Sequence, residues 1–350
     1  MTDYQNKPPH EFVDAILRDA LSRGASDIYW LPRKASVAIR FKTDGHQDDV
    51  GTVPHDYGTQ CIARLKVLAG LLTYRSSVAQ DGAIHGVAGY PDAELRAASL
   101  PTHHGERITL RILHQQASSL SLDGLGFEDA VLHALRELLA RPTGMLILTG
   151  PTGSGKTTTI YAMIHELLQG GHDPATLITI EDPIERAIEH ISQVQVTRAG
   201  EDWGYPEALR AALRHDVKTL VIGEMRDKDI VRVALDAALT GHRVITTFHA
   251  GDIPAVYGRL LHLGFEPFLI AAAVAGVVSQ RLVQRRDGTG QVPVAALLRA
   301  TDEWRDVITA NPGLADLRRR VAAIPGADLT AAAQQLASQG RIHEKDVYLL

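Results

Sequence analysis

LILTGPTGSGKTTTIYAMI, residues 146–164, is the stretch whose reading decides the fold. An apolar run, Leu146–Thr149, enters a turn, Gly150-Pro151-Thr152-Gly153-Ser154-Gly155, and then Lys156, Thr157, Thr158 and a helix-like segment. The spacing is G-x-x-x-x-G-K-T between a strand and a helix, the context that gives this pattern its meaning. Glycines at 150, 153 and 155 permit positive φ and close backbone approach, so successive N–H groups can turn toward a phosphate. The helix that follows adds its positive N-terminal end. Lys156 is then expected on the β/γ-phosphates and the Thr157 hydroxyl on Mg²⁺, which predicts a nucleoside triphosphate site, ATP with Mg²⁺.

Outward from this turn, apolar strands and helices alternate. Helices are expected at 127–140, 157–169, 206–214 and 228–239, and strands at 145–149, 176–180, 219–223 and 243–247. That alternation predicts an α/β domain, residues 126–290, with a mostly parallel sheet and helices on both faces. Before it, a helix at 11–23, a strand around Val37–Phe41, a turn at Asp44-Gly45, a helix at 55–72 and strands at 83–88, 94–100 and 106–113 predict a small α+β domain, residues 1–115. The polar stretch 116–125, QASSLSLDGL, reads as a linker. Beyond 254 the pattern reads as mainly helical, with residues 291–350 a helical C-terminal region.

Whole-chain quantities narrow the function classes. The net charge of −5 over 350 residues provides no global basic field for nucleic acid or anionic lipid. The single cysteine, Cys61, excludes an internal disulfide or a Cys-rich zinc site, and its apolar helical surroundings predict packing. The polar N-terminus lacks the layout of a signal peptide, and the longest apolar run, Phe268–Val278, falls short of the roughly 20 residues that cross a bilayer. A cytoplasmic protein is expected, peripheral to a membrane through a partner.

Three further segments carry chemistry. TLVIGEMRD, residues 219–227, ends an apolar strand on Glu224. A carboxylate at that edge, on a strand expected beside the phosphate-loop strand, can take a proton from an attacking water or hold the water shell of Mg²⁺; a solvated strand-end carboxylate is the alternative. LITIEDPIE, residues 177–185, brings Glu181, Asp182 and Glu185 to the end of another strand, where Glu181 would join the metal site unless Asp182-Pro183 simply starts a helix. TGHRVITTFHA, residues 240–250, has His242 before a strand and His249 after it, imidazoles that can contact a γ-phosphate or simply bond to backbone.

On these residues the chain resembles the secretion ATPase superfamily, and within it the assembly ATPases of type II secretion systems and type IV pili. GPTGSGKTTTIY, ITIEDPIE, LRAALRHDVKTLVIGEMRD and ALTGHRVITTFHA resemble four ordered boxes of that family, and GASDIY, IRFKTDG, AQDGAI and ELRAASLPTHHGERITLRIL resemble its N-terminal domain. The resemblance runs from about residue 10 to about residue 285. It implies a RecA-like P-loop domain preceded by a PAS-like domain, and ATP hydrolysis that powers assembly of a pilus or pseudopilus. It implies a homo-oligomer, a hexameric ring, working on an inner-membrane platform protein, with no direct nucleic acid. Glu224 and Glu181 would be the catalytic and Mg²⁺-ordering carboxylates, His249 and His242 would lie near the γ-phosphate, and Arg96 and Arg111 of the small domain would close on the triphosphate. Arg210, Arg214 and Arg226 match further family arginines, for which ion pairs with Glu181 or Asp227 are an equally good account. Asp216-Val217-Lys218 departs from the family's Asp-Pro-Asp, Ala250 from its threonine, and no tetracysteine element is present. With these omissions the chain is most similar to the compact competence-pilus ATPases of Gram-positive bacteria, with pilus retraction or type IV secretion as the alternative roles and an ATP-binding scaffold with little hydrolysis as the alternative class.

Overall fold

The computed structural model describes residues 7–43, 46–113, 120–196 and 204–348. The Asp44-Gly45 turn and residues 116–119 of the linker lie outside the described residues. The chain forms two compact units, Met1–Ala117 and Ser118–Leu350.

The first unit runs α1 (Pro9–Ser22), β1 (Asp27–Pro32), β2 (Ser36–Thr43), β3 (His46–Pro54), α2 (His55–Leu68), β4 (Gln80–Val87), β5 (Tyr90–Thr102) and β6 (Gly105–Leu113). Its strands form one antiparallel sheet in the order β3-β2-β1-β6-β5-β4. Alternation along the strands sends Ile28, Trp30, Ile39, Phe41, Leu95, Ala97, Ile108 and Leu110 to one buried face, where Phe12, Val13, Ile16 and Leu17 of α1 and Cys61, Ile62 and Leu65 of α2 complete the core. Cys61 is therefore packing, fully buried, with burial pushing its thiol up to about 12. Lys66 is also buried, and its ammonium pairs with Glu106 at 2.6 Å and donates to the carbonyl of Arg75. Strands β1 and β3 had no counterpart in the sequence reading.

The second unit opens with α3 (Asp129–Ala140), β7 (Gly144–Thr149), α4 (Lys156–Gln169), β8 (Leu177–Glu181), β9 (Ser192–Gln195), α5 (Tyr205–Ala212), β10 (Thr219–Met225), α6 (Lys228–Leu239) and β11 (Arg243–Phe248). It continues through α7 (Ile253–His262), α8 (Pro267–Ala273), β12 (Val274–Gln284), β13 (Gln291–Arg299), α9 (Asp302–Thr309), α10 (Leu314–Ala322), α11 (Leu329–Ser338) and α12 (Glu344–Val347). The sheet order is β13-β12-β7-β11-β10-β8-β9, parallel at every pairing except β12 with β13. Successive residues of β7 feed opposite cores. Met145 and Ile147 pack with α5, α6 and α8, while Leu146 and Leu148 pack with α3 and α4. Helices cover both faces of a sheet whose strands are buried on both sides.

Three sequence expectations change here. Beyond 254 helices predominate, but β12 and β13 extend the sheet to Arg299, so the strand at 291–299 falls inside what was read as a helical C-terminal region. The apolar run 268–278 splits between α8 and β12, a choice that periodicity does not make for short apolar stretches. Strand β10 is not the neighbour of β7, because β11 lies between them.

Close packing in the first unit is testable at Gly58, where a Cβ would stand 2.4 Å from Val37 Cγ2 and 2.6 Å from Val37 Cβ. Gly58→Ala is expected to destabilise this unit by about 1–3 kcal/mol through overpacking of α2 on β2, measured as a shifted urea midpoint; an unchanged midpoint would show that the helix can move away without cost.

Candidate nucleotide site

Because β7, β11, β10 and β8 run parallel, their C-terminal ends share one edge of the sheet, the edge at which such folds bind ligands. The loop Gly150–Gly155 leaves β7 there and enters α4. Gly155, with φ +83°, caps that helix in the left-handed region, and Gly150, with φ +151°, lies so close to β12 that a Cβ would meet Gln280 O at 2.3 Å. Pro151, Thr152, Gly153 and Thr158 are exposed, Ser154 is buried, and Thr157 is half-buried at the first turn of α4. Lys156 folds back over the loop, its Nζ donating to Gly150 O at 2.9 Å and Pro151 O at 2.8 Å. Burial, then Arg281, lowers its pKa, while Glu185 acts in the opposite sense. An ammonium held by carbonyl oxygens at a helix N-terminus is suited to an anion that supplies the missing charge.

Along the same edge, His249 follows β11 and Glu224 lies on β10. His249 Nε2 and Glu224 Oε2 are 2.8 Å apart, and Arg226 also pairs with Glu224 while reaching Asp182 at 3.2 Å. The His249 imidazole is held below its ordinary pKa of 6.5, first by burial and then by Lys156, Arg259 and Arg226. A carboxylate offers only acceptors, so the ring nitrogen is the donor in the contact with Glu224. Glu181, at the end of β8, is deeper. It is 7% exposed and accepts from Tyr161 Oη (2.6 Å), Thr179 Oγ1 (2.6 Å) and Gln193 Nε2 (3.1 Å). No helix starts at Asp182-Pro183, and residues 182–191 are turns.

The sheet edge therefore brings together the loop, Lys156, Thr157, Glu224, His249 and Glu181. It does not bring His242. That residue precedes β11, at the opposite edge, with Nδ1 3.0 Å from Ala237 O, so the backbone-bonded alternative describes it and the γ-phosphate expectation is corrected. Of the three further arginines, Arg210 pairs with Glu207 and Arg214 donates to Arg210 O, while Arg226 pairs with Glu224 and Asp182, rather than any of them with Glu181 or Asp227. In the first unit, Arg96 and Arg111 are directly opposed on β5 and β6 and share one face of that sheet. Arg111 Nε bonds Asp27 Oδ1 at 3.1 Å, which relieves two like charges across a strand pair. The departure Asp216-Val217-Lys218 is accommodated, because Val217 is buried and Lys218 N donates to Thr176 O as β10 begins.

Sequence reasoning missed Tyr161 and Gln193, which hold Glu181, and Gln280 and Arg281 on β12. Gln280 is buried behind the loop, and Arg281 donates to Gln280 O (3.1 Å) and to Gly251 O (2.7 Å), just past His249. A signal was present: Ser-Gln-Arg interrupts the apolar run Val274–Val283, an expensive place for polar groups without partners.

A family model described as "Type II/IV secretion system protein" matches residues 3–345. The type II secretion system protein HxcR of Pseudomonas aeruginosa is 39% identical over 279 residues, 79% of this chain and 58% of HxcR. The type IV pilus assembly ATPase TfpB of Acinetobacter baylyi is 39% identical over 276 residues, 79% of this chain and 46% of TfpB. The chain spans about half the length of these curated relatives. The structure of the pilus retraction motor PilT with bound ADP superposes with a TM-score of 0.73 at 28% identity, covering 95% of each chain. The fold of the Legionella pneumophila ATPase DotB superposes with a TM-score of 0.80 at 23% identity, over 100% of this chain and 97% of DotB.

The charge state of His249 is open to direct test. An NMR titration of its imidazole, assigned by comparison with His249→Asn, should give a midpoint below 6.5; a midpoint above that value would mean that Glu224 controls the ring and that it carries charge near neutrality.

Proposed function

From this chain's membership of the type II/IV secretion system protein family, we propose that it is an ATP-hydrolysing motor that powers assembly of a type IV pilus-like fibre or a type II secretion pseudopilus. The observation that carries the reading is the shared sheet edge, where Lys156 lies over the glycine loop and the His249–Glu224 pair stands beside it. The proposal includes a RecA-like character for the second unit and a PAS-like one for the first.

The loop N–H groups and Lys156 would bind the β- and γ-phosphates, and the N-terminal end of α4 adds its dipole. Mg²⁺, when bound, would neutralise phosphate charge, held by the Thr157 hydroxyl and, through water, by Glu224. Glu224 would take the proton of the water that attacks the γ-phosphorus, as the P–O bond to the β-phosphate breaks and ADP leaves. His249 orients that carboxylate. Glu181, with three donors already on it, is held in place by its partners, and it would reach a bound Mg²⁺ only through water. Arg96 and Arg111, side by side on the first unit, would approach the triphosphate and offset charge in the transition state. A hexameric ring at the cytoplasmic face of the membrane, turning a platform protein, completes the proposal.

Retraction is the second reading. It is supported by the likeness to the pilus retraction motor PilT, with a TM-score of 0.73 at 28% identity. Deleting the gene in its host distinguishes them, since loss of an assembly motor removes fibres and loss of a retraction motor leaves an excess.

Hydrolysis itself is tested by steady-state phosphate release. The wild-type protein should turn over ATP, Lys156→Ala should lose nucleotide binding, and Glu224→Gln should bind ATP with turnover at least ~10²-fold lower. A wild type that binds ATP without releasing phosphate would instead be an ATP-dependent scaffold.

The role of the first unit has a separate check. Arg96→Ala should leave the Kd for ATP nearly unchanged and lower kcat at least ~10²-fold; unchanged turnover at saturating ATP would remove this arginine from the mechanism.

A further inference from the structure

Parallel pairing of β12 with β7 sets Ser279 opposite Thr149, which brings Gln280 level with the start of the glycine loop. The Gln280 side chain is 2% exposed. Its Nε2 donates to Ser154 O at 2.7 Å, and its Oε1 accepts from Thr159 Oγ1 at 2.9 Å. Its main-chain oxygen occupies the space a Gly150 side chain would need, and its Nε2 lies 2.9 Å from the place of a Cβ on Gly155. The carboxamide thus touches the end of the loop and the first turn of α4, while the main-chain oxygen of the same residue abuts the loop's start.

The consequence follows from the planarity of the peptide. In a trans unit the C=O and the N–H point in opposite directions. With the carbonyl of Ser154 fixed backward onto Gln280, the N–H of Gly155 in the same peptide is fixed forward, away from β12. We infer that Gln280 is a positioning residue of the nucleotide site, whose carboxamide holds the Ser154–Gly155 peptide so that the Gly155 N–H faces a bound phosphate. Glutamine suits the task because it offers a donor to a carbonyl and an acceptor to a hydroxyl at the same time. Without it, the peptide can turn over and present an oxygen to the phosphate. The inference rests on the nucleotide reading given above.

The test compares wild type, Gln280→Met and Gln280→Glu by fluorescent ADP binding, ATP turnover and nucleotide-free thermal unfolding between pH 5.5 and 8. Gln280→Met, close in volume, should raise the Kd for ADP and the KM for ATP about 10–100-fold, the worth of a hydrogen bond to a charged group, with kcat lowered far less. Gln280→Glu should bind worse still at pH 8, where a carboxylate faces a carbonyl. It should regain affinity toward pH 5.5 as the carboxyl protonates and can donate again, a trend absent from wild type and Gln280→Met. A purely structural role would lower the unfolding temperature without that pH-dependent recovery. If Gln280→Glu does not fold, Thr159→Val, which removes the hydroxyl that Oε1 shares with Gly155 O and leaves the Gln280 bond to Ser154 O in place, should still weaken ADP binding about 2–5-fold. Wild type that binds nucleotide alongside variants that bind equally well overturns this inference alone. Wild type that binds no nucleotide overturns the nucleotide reading and this inference with it.

Discussion

Parallel pairing obliges neighbouring strands to finish at the same edge of a sheet, and the chemistry of this chain depends on that constraint. The glycine loop, His249, Glu224 and Glu181 come from segments scattered over about a hundred residues, yet each follows or ends one of β7, β11, β10 and β8. No long-range side-chain recognition is required to assemble them, because the registers Thr149 with Phe248 and Ile180 with Ile222 already bring the ends level. The same constraint explains His242. Lying before β11 rather than after it, it is carried to the far edge by a strand of six residues, roughly 20 Å at the usual rise per residue.

The electrostatics of the edge are divided between fixed and adjustable groups. Glu181 is enclosed by hydroxyl and amide donors, which satisfy a buried carboxylate without neutralising it. Burial and the neighbouring carboxylate push the Tyr161 hydroxyl up, so it remains a donor. Glu224 is different, being closer to solvent and shared between the Arg226 guanidinium and the His249 imidazole. The base proposed at Glu224 needs partners that can exchange, and Arg226 has a second carboxylate, Asp182, within reach. The two acidic residues, equivalent in a sequence comparison alone, thus have different surroundings.

The loop, the alternation around it and most element positions were legible in the sequence, because glycine spacing and apolar periodicity are local signals. Helix α6 and strand β11 fall within a residue of their expected ends. The failures have a common cause, dependence on partners distant in the chain. The polar strand β3 belongs to the sheet through its pairing with β2, and its own burial alternation is weak. Strand β12 follows directly on α8 within one apolar run, and only its pairing with β7 on one side and β13 on the other determines where helix gives way to strand. Strand order was equally hidden, so Glu224 was expected one place too near the loop. Gln280 stayed unseen because a buried amide is interpretable only once its two partners, 121 and 126 residues away, are known.

That last distance also changes the standing of the C-terminal third. Residues 291–299 pair with β12 from Gly276 to Gln284, α11 packs beneath them, and Leu297 N donates to Gly326 O. The strand that supports the glycine loop is therefore itself supported by segments that carry no recognisable motif. A phosphate-binding loop is a row of backbone dipoles, and its affinity depends on their not rotating when charge arrives or departs. Lys156 alone does not provide this, since its three donors rotate freely on a flexible stem. Stiffness has to come from behind, through a strand fixed on both sides, and the antiparallel hairpin of β12 and β13 supplies it.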